Sequence, residues 1–235
     1  LTAAGEAGSA LPIYQQIAQA CPHVPQVQVN LGIALYVLDR YEDALACFEA
    51  ARDIDPFHLP AYLHAGKAAE ALGRRADAID YWTSATHIDP TSVATLRNLA
   101  QCHLADGALD KAQAAIDRAF AIAPDDAAVC CGRAAVIRAA EGTEAAAAFL
   151  QAAYDRNPDA GTGIALAKTL ASLQRFEDAA AAVQRIIERA PKDASQWNEC
   201  AAILLAAERC DQALACLRRA DELAPNVPEI GQNMA

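Results

Sequence analysis

The chain has 235 residues, of which 54% are hydrophobic, 6% aromatic and 21% charged, and its formal net charge is −11. An acidic balance of this size argues against nucleic acid or anionic lipid as a ligand, because phosphate binding needs concentrated cations. No apolar run approaches the ~18 residues of a membrane span and no secretory or transit segment is visible, so a cytoplasmic protein is expected.

Seven prolines, Pro22, Pro56, Pro90, Pro124, Pro158, Pro191 and Pro225, recur at intervals of 34 residues with one interval of 33. Such a period marks an array of helical repeats. In chain order, Ser9 to Cys21 matches only the second helix (B) of a unit, with Ala10, Tyr14 and Ile17 in its core columns, so residues 1–24 are expected to form a partial repeat. Six full units follow at 25–58, 59–92, 93–126, 127–159, 160–193 and 194–227. Residues 228–235 match only the opening of a further helix A, and the chain reads as a piece of a longer protein.

Within the first full unit, helix A is predicted from about Val27 to Leu38 and helix B from about Glu42 to Ile54. Polar residues or breakers such as Gly73, Gly107 and Gly142 fill the turns, and proline stops helix B because it cannot continue the hydrogen-bond ladder. Acids at the start of B (Glu42, Asp43, Asp77, Asp110, Glu177, Asp178, Asp211) suit the positive end of the helix dipole. Small and large residues alternate by column. The eighth position reads Gly32, Gly66, Ala100, Ala134, Ala167 and Ala201, and the twentieth Ala44, Ala78, Ala112, Ala146, Ala179 and Ala213. The twenty-fourth is Phe48, Trp82, Ile116, Leu150, Val183 and Leu217, and the twenty-seventh Ala51, Ala85, Ala119, Ala153, Ile186 and Ala220. This spacing lets a thin two-helix unit bury one face on its neighbour.

The pattern resembles the tetratricopeptide repeat family, whose 34-residue unit carries small residues at these columns and a proline near its end. The resemblance implies an all-α, right-handed α-solenoid (superhelix) of tandem helix–turn–helix repeats. It also implies a concave surface lined by the A helices.

Chemistry is sparse by comparison. The cysteines (Cys21, Cys47, Cys102, Cys130, Cys131, Cys200, Cys210, Cys216) share no spacing and read as reduced thiols that pack as small hydrophobes. No CxxC pair or Cys/His set has metal-ligand spacing, so no metal is expected. His23, His58, His64, His87 and His103 scatter over loops and both helix types, and His103 is expected to pack. No triad or paired-carboxylate constellation can be assembled. Gly161-Thr162-Gly163 lacks the strand and third glycine of a nucleotide loop. Neither catalysis nor a cofactor is expected.

The resemblance places Val29, Asn30, Ile33, Tyr36, Leu63, His64, Lys67, Arg97, Asn98, Gln101, Arg138, Ile164, Lys168 and Glu199 toward the groove. Helix A segments hold five cations (Lys67, Arg97, Arg133, Arg138, Lys168) against three anions (Glu70, Asp106, Glu199), leaving the excess negative charge to the loops and B helices. Such a groove suits an extended, acidic peptide or a protein partner, with the binding set Asn30, Tyr36, His64, Lys67, Arg97, Asn98, Gln101, Arg138 and Lys168. Arg97 and Asn98 fit two columns of the carboxylate clamp of chaperone-binding relatives, but Val29, Ile33 and Lys67 break it. Asn30, Asn98 and Asn233 match part of the asparagine ladder of O-linked N-acetylglucosamine transferases. A binding scaffold is therefore expected, with the recruiting arm of a larger enzyme such as a glycosyltransferase as the alternative. Self-association through the terminal helices is a further expectation. Arg133 falls in a column normally held by leucine, where its alkyl stem could carry the charge outward.

Overall fold

Alanine, the best helix former, fills most column positions between the prolines, and helices occupy nearly all of the chain between breaks. The computed structural model describes residues 2–225, with side chains from residue 8 onward. The helix opening expected at 228–235, with Asn233, lies outside the described residues. Thirteen α-helices and no strand occur among the described residues.

The chain packs as two units, Leu1–Ala119 and Phe120–Ala235. The first holds α1 (Thr2–Ala20), α2 (Pro25–Val37), α3 (Tyr41–Ile54), α4 (Leu59–Ala71), α5 (Arg75–Ile88), α6 (Val93–Ala105) and most of α7 (Leu109–Ile122). The second holds α8 (Ala127–Glu141), α9 (Thr143–Arg156), α10 (Ala160–Ser172), α11 (Phe176–Ile187), α12 (Ala194–Ala206) and α13 (Cys210–Leu223). Even-numbered helices are A helices and odd-numbered ones are B helices.

Five of the A–B turns share one geometry. Asp39, Gly73, Gly107, Gln174 and Glu208 are left-handed, with φ of 59°, 71°, 76°, 60° and 58°. The next residue then donates its N–H back across the helix end: Arg40 to Leu35, Arg74 to Ala69, Ala108 to His103, Arg175 to Leu170 and Arg209 to Leu204. This is the Schellman closure of a helix C-terminus. The remaining turn is Gly142 alone, at φ 100°, because α8 runs two residues longer than the other A helices. Gln174→Gly should raise stability by about 0.5–1 kcal/mol in urea unfolding, since relief of left-handed strain exceeds the entropy that glycine loses. A loss of stability would mean that the Gln174 side chain contributes more than its backbone costs.

The B–A breaks use proline as a stop and a polar residue as a cap. Ser92, Asp126, Asp159 and Asp193 accept hydrogen bonds from the backbone N–H of Thr95, Val129, Thr162 and Ser195, satisfying donors that the helix leaves open. The 33-residue interval has a local cause: Asn157, Pro158 and Asp159 join α9 to α10, where four residues join α3 to α4. Asp159 still caps, so the deletion shortens the loop and leaves both helices in register. The fourth column ties three of the A helices to the preceding proline carbonyl, through Tyr62 Oη to Pro56 O at 2.9 Å, Cys130 Sγ to Pro124 O at 3.3 Å and Trp197 Nε1 to Pro191 O at 2.7 Å.

The core columns are buried almost without exception. Ala44, Ala78, Ala112, Ala179 and Ala213 are 0% exposed, as are Phe48, Trp82, Ile116 and Val183. Gly32 and Gly66 are explained by their partners: a Cβ on Gly32 would lie 2.5 Å from the Phe48 ring, and one on Gly66 would lie 2.6 Å from the Trp82 ring. Alanine returns at this column wherever its partner is aliphatic. Gly163 repeats the device elsewhere, since its Cβ would meet Ile186 at 2.8 Å and Tyr154 at 2.9 Å. That glycine faces the one isoleucine in a column otherwise held by alanine. In α1 one expectation is corrected: Ile17 is 41% exposed, and Ala10, Tyr14 and Ala18 form the partly buried stripe. The reason is that α1 packs on α2, which covers a single stripe.

Candidate peptide-binding surface

In the first unit the candidate residues lie on three A helices: Asn30 and Tyr36 on α2, His64 and Lys67 on α4, and Arg97, Asn98 and Gln101 on α6. Lys67 and Gln101 are exposed, and the others are partly covered. Their surroundings differ. Asn30 Oδ1 accepts from Gln26 Nε2 at 2.8 Å, and Arg97 donates weakly to Asn98 Oδ1 at 3.4 Å. Tyr36 meets Tyr41 edge to face at 5.1 Å. His64 stacks on Phe48 at 5.4 Å between ring centres, and burial, helped by the Lys67 charge, lowers its pKa. It is therefore a neutral ring half built into the packing.

The second unit carries the other two. Arg138 on α8 is exposed. Lys168 on α10 pairs with Glu199 on α12 at 2.8 Å, so two residues read as groove positions hold each other across neighbouring A helices. Val29 and Ile164, also read as groove positions, are 0% and 4% exposed and belong to the core. Packing, which a column position does not reveal, decides which apolar A-helix residues stay accessible.

Arg133 has a partner set that column reading missed. Its guanidinium carbon lies 4.0 Å from the Phe120 ring centre and 5.4 Å from that of Phe149, and the two rings pack together at 5.8 Å. A cation over aromatic faces explains an arginine in a leucine column. The available signal was the pair of phenylalanines near it in the repeat register. His103 is 9% exposed with a pKa lowered by burial, a packed residue as expected.

All eight cysteines are unbridged. Cys102 Sγ lies 3.0 Å from Glu70 Oε1, and burial together with that carboxylate pushes the thiol up to about 12. Burial likewise pushes Cys200 up to about 12 and Cys131 up to about 11. A raised pKa disfavours the thiolate, the reactive form, and makes these groups poor nucleophiles at neutral pH. Alkylation of the folded protein at pH 8, read by intact mass, should label the exposed Cys21 and Cys210 first. Cys102 and Cys200 should react only on unfolding, and rapid native labelling of either would contradict their burial. Among the described residues, no group of three His, Cys, Asp or Glu side chains gathers as a metal site, and no helix is long and apolar enough to cross a membrane.

An all-α chain of paired helices, with small residues set against large ones, defines a helical-repeat protein. Tetratricopeptide repeat models match residues 1–69 and 62–129, and a second such model matches 164–228. The chain belongs to the tetratricopeptide repeat family. It is 28% identical over 119 residues to the protein CTR9 homolog of Arabidopsis thaliana, covering 50% of this chain and 11% of that one. Among solved structures, a tetratricopeptide repeat protein from Parabacteroides merdae is similar with a TM-score of 0.70 at 14% identity, over 98% of this chain and 91% of that one. A chain of the APC/C hetero-tetramer Cut9–Hcn1 is similar with a TM-score of 0.63 at 18% identity, over 98% of this chain and 46% of that one. The chain thus spans less than half the length of two of these relatives.

Proposed function

We propose that this chain is a non-catalytic protein–protein interaction scaffold, organised in the six repeat units 25–58, 59–92, 93–126, 127–159, 160–193 and 194–227, that holds an extended, acidic peptide segment on its A helices. The observation that carries this reading is how charge is partnered. Several arginines in the turns and B helices are engaged, among them Arg40 with Asp43, Arg74 with Asp77, Arg156 with Asp125, Arg185 with Asp155 and Arg209 with Glu177, while Arg75, Arg118, Arg189 and Arg218 have no ion pair among the described residues. On the A helices Lys67, Arg97 and Arg138 have no ion pair among the described residues. In the first unit, Lys67 and Arg97, left without a carboxylate on helices that also carry Asn30, Tyr36, His64, Asn98 and Gln101, suit a ligand that brings its own acids. Asparagine and glutamine can both donate to and accept from a peptide backbone. The presence of a similar chain in the Cut9–Hcn1 hetero-tetramer supports a role in holding another protein.

In this reading the binding set is Asn30, Tyr36, His64, Lys67, Arg97, Asn98 and Gln101 in the first unit and Arg138 in the second. Lys168 contributes only if a ligand carboxylate displaces Glu199. Exchanging Arg97 and Asn98 together for Ala should weaken partner binding at least about tenfold, since a charge-assisted contact contributes about 1.5–3 kcal/mol when partly desolvated. Helicity and melting temperature should stay nearly unchanged. Partners recovered on immobilised wild type and on the double variant, measured at two salt concentrations, test this; salt should weaken the wild type more. Equal binding by both, or contacts that map to B helices, would refute the A-helix surface.

A further inference from the structure

The second unit contains an irregularity that the repeat pattern does not call for. α11 ends at Ile187 after 12 residues, whereas the other B helices from α3 onward run for 14. The chain then passes through Ala190 at φ 49°, a left-handed alanine. Beside this segment lies a cleft of about 320 Å³ whose lining includes Tyr154, Pro158, Ile186, Arg189, Lys192 and Gln196.

Two observations at the cleft point to a ligand. Tyr154 is 0% exposed, and its hydroxyl has no hydrogen-bond partner among the described residues. Buried polar groups are nearly always paired, and leaving one unpaired is costly. Arg185 lies over the ring at 4.6 Å but is itself held by Asp155 at 2.8 Å. Independently, Arg189 and Lys192 are exposed beside it and neither has an ion pair among the described residues. Of the nearby acids, Asp193 accepts from the Ser195 N–H, and Asp159 accepts from the Thr162 N–H through Oδ1 while its buried Oδ2 has no hydrogen-bond partner among the described residues. Glu188 is exposed on the same loop.

We propose that this cleft is a second binding site, distinct from the A-helix surface, that takes the carboxylate of an acidic side chain on a partner polypeptide. The Tyr154 hydroxyl donates to one oxygen, and Arg189 and Lys192 neutralise the charge from the rim. Pro158 and Ile186 pack the aliphatic stem. Burial raises the Tyr154 pKa, with Arg185 and Arg189 opposing and the Asp159 charge raising it further, so the phenol keeps its proton and serves as a donor.

The test follows the indole N–H of Trp197, whose Nε1 is bonded to the Pro191 carbonyl of the cleft wall. The protein has two tryptophans, and Trp82→Phe assigns their two resonances. Titration with a capped tetraglutamate peptide should move the Trp197 signal saturably and leave that of Trp82 in place, whereas capped tetraglutamine should move neither. Tyr154→Phe, which deletes only the oxygen, should weaken the glutamate peptide about tenfold, in keeping with loss of a hydrogen bond to a charged group. Arg189→Ala with Lys192→Ala, both at exposed positions, should do the same without altering the fold. Undiminished binding by Tyr154→Phe, equal binding of tetraglutamine, or no response of Trp197 up to about 10 mM peptide would overturn the proposal. Arg97→Ala with Asn98→Ala should leave this titration unchanged, which separates its outcome from that of the A-helix surface.

Discussion

Replacing Gly66 by alanine should destabilise the protein by about 1–2 kcal/mol, although the same change in an ordinary helix interior is favourable by nearly 1 kcal/mol. The added methyl would sit 2.6 Å from the Trp82 ring, which is 0% exposed and enclosed. Trp82→Leu alone should cost about 2–4 kcal/mol through the cavity it leaves. The two together should cost clearly less than their sum, because alanine against leucine is the pairing already used by Ala134 with Leu150 and by Ala201 with Leu217. Urea unfolding of the four proteins in this cycle measures the coupling, which should reach about 1 kcal/mol or more. Additive effects would mean that the ring moves aside and that the columns are independent.

A second cycle should show the same coupling in the other unit. Gly163→Ala drives a methyl against Ile186 and Tyr154 at 2.8 and 2.9 Å, and Ile186→Ala should cost about 2–5 kcal/mol by emptying the space instead. Gly163→Leu combined with Ile186→Ala rebuilds the arrangement of Leu96 with Ala119, both 0% exposed in the first unit. That double variant should recover most of the loss. A double variant less stable than Ile186→Ala would show that Tyr154, and not Ile186, sets the limit on residue 163.

The proline period and the small and large columns were open to a reader of the sequence, because a repeat states the same packing problem six times. What the columns could not disclose was which residues in one column answer to which in another. Gly66 read as a small residue among small residues, and only the 2.6 Å approach to Trp82 shows why alanine is refused there. The turns were legible where glycine marks them, at Gly73 and Gly107, and hidden at Gln174 and Glu208, where an ordinary residue accepts left-handed strain. At the candidate surface, residue type and helix face were readable, but partnership was not. Lys168 looked like a lone cation until Glu199 was found beside it, and Arg133 looked misplaced until Phe120 and Phe149 were found beneath it. Such pairs join side chains about one repeat apart or on different helices, so no local pattern announces them.

Each of these glycines meets a bulky partner of its own unit, Gly32 with Phe48, Gly66 with Trp82 and Gly163 with Ile186, and Gly163 alone of the three also meets one of the preceding unit, Tyr154. Genetic exchange between such arrays is consequently not indifferent to where the crossover falls. A junction at the proline transfers both members of each within-unit pair together. A junction at the turn between helices A and B would join one unit's Ala100 to another's Trp82, a combination with no room for both. The proline-bounded segment, more than the single helix, is thus the portion of this chain that can be duplicated, shuffled or transplanted intact.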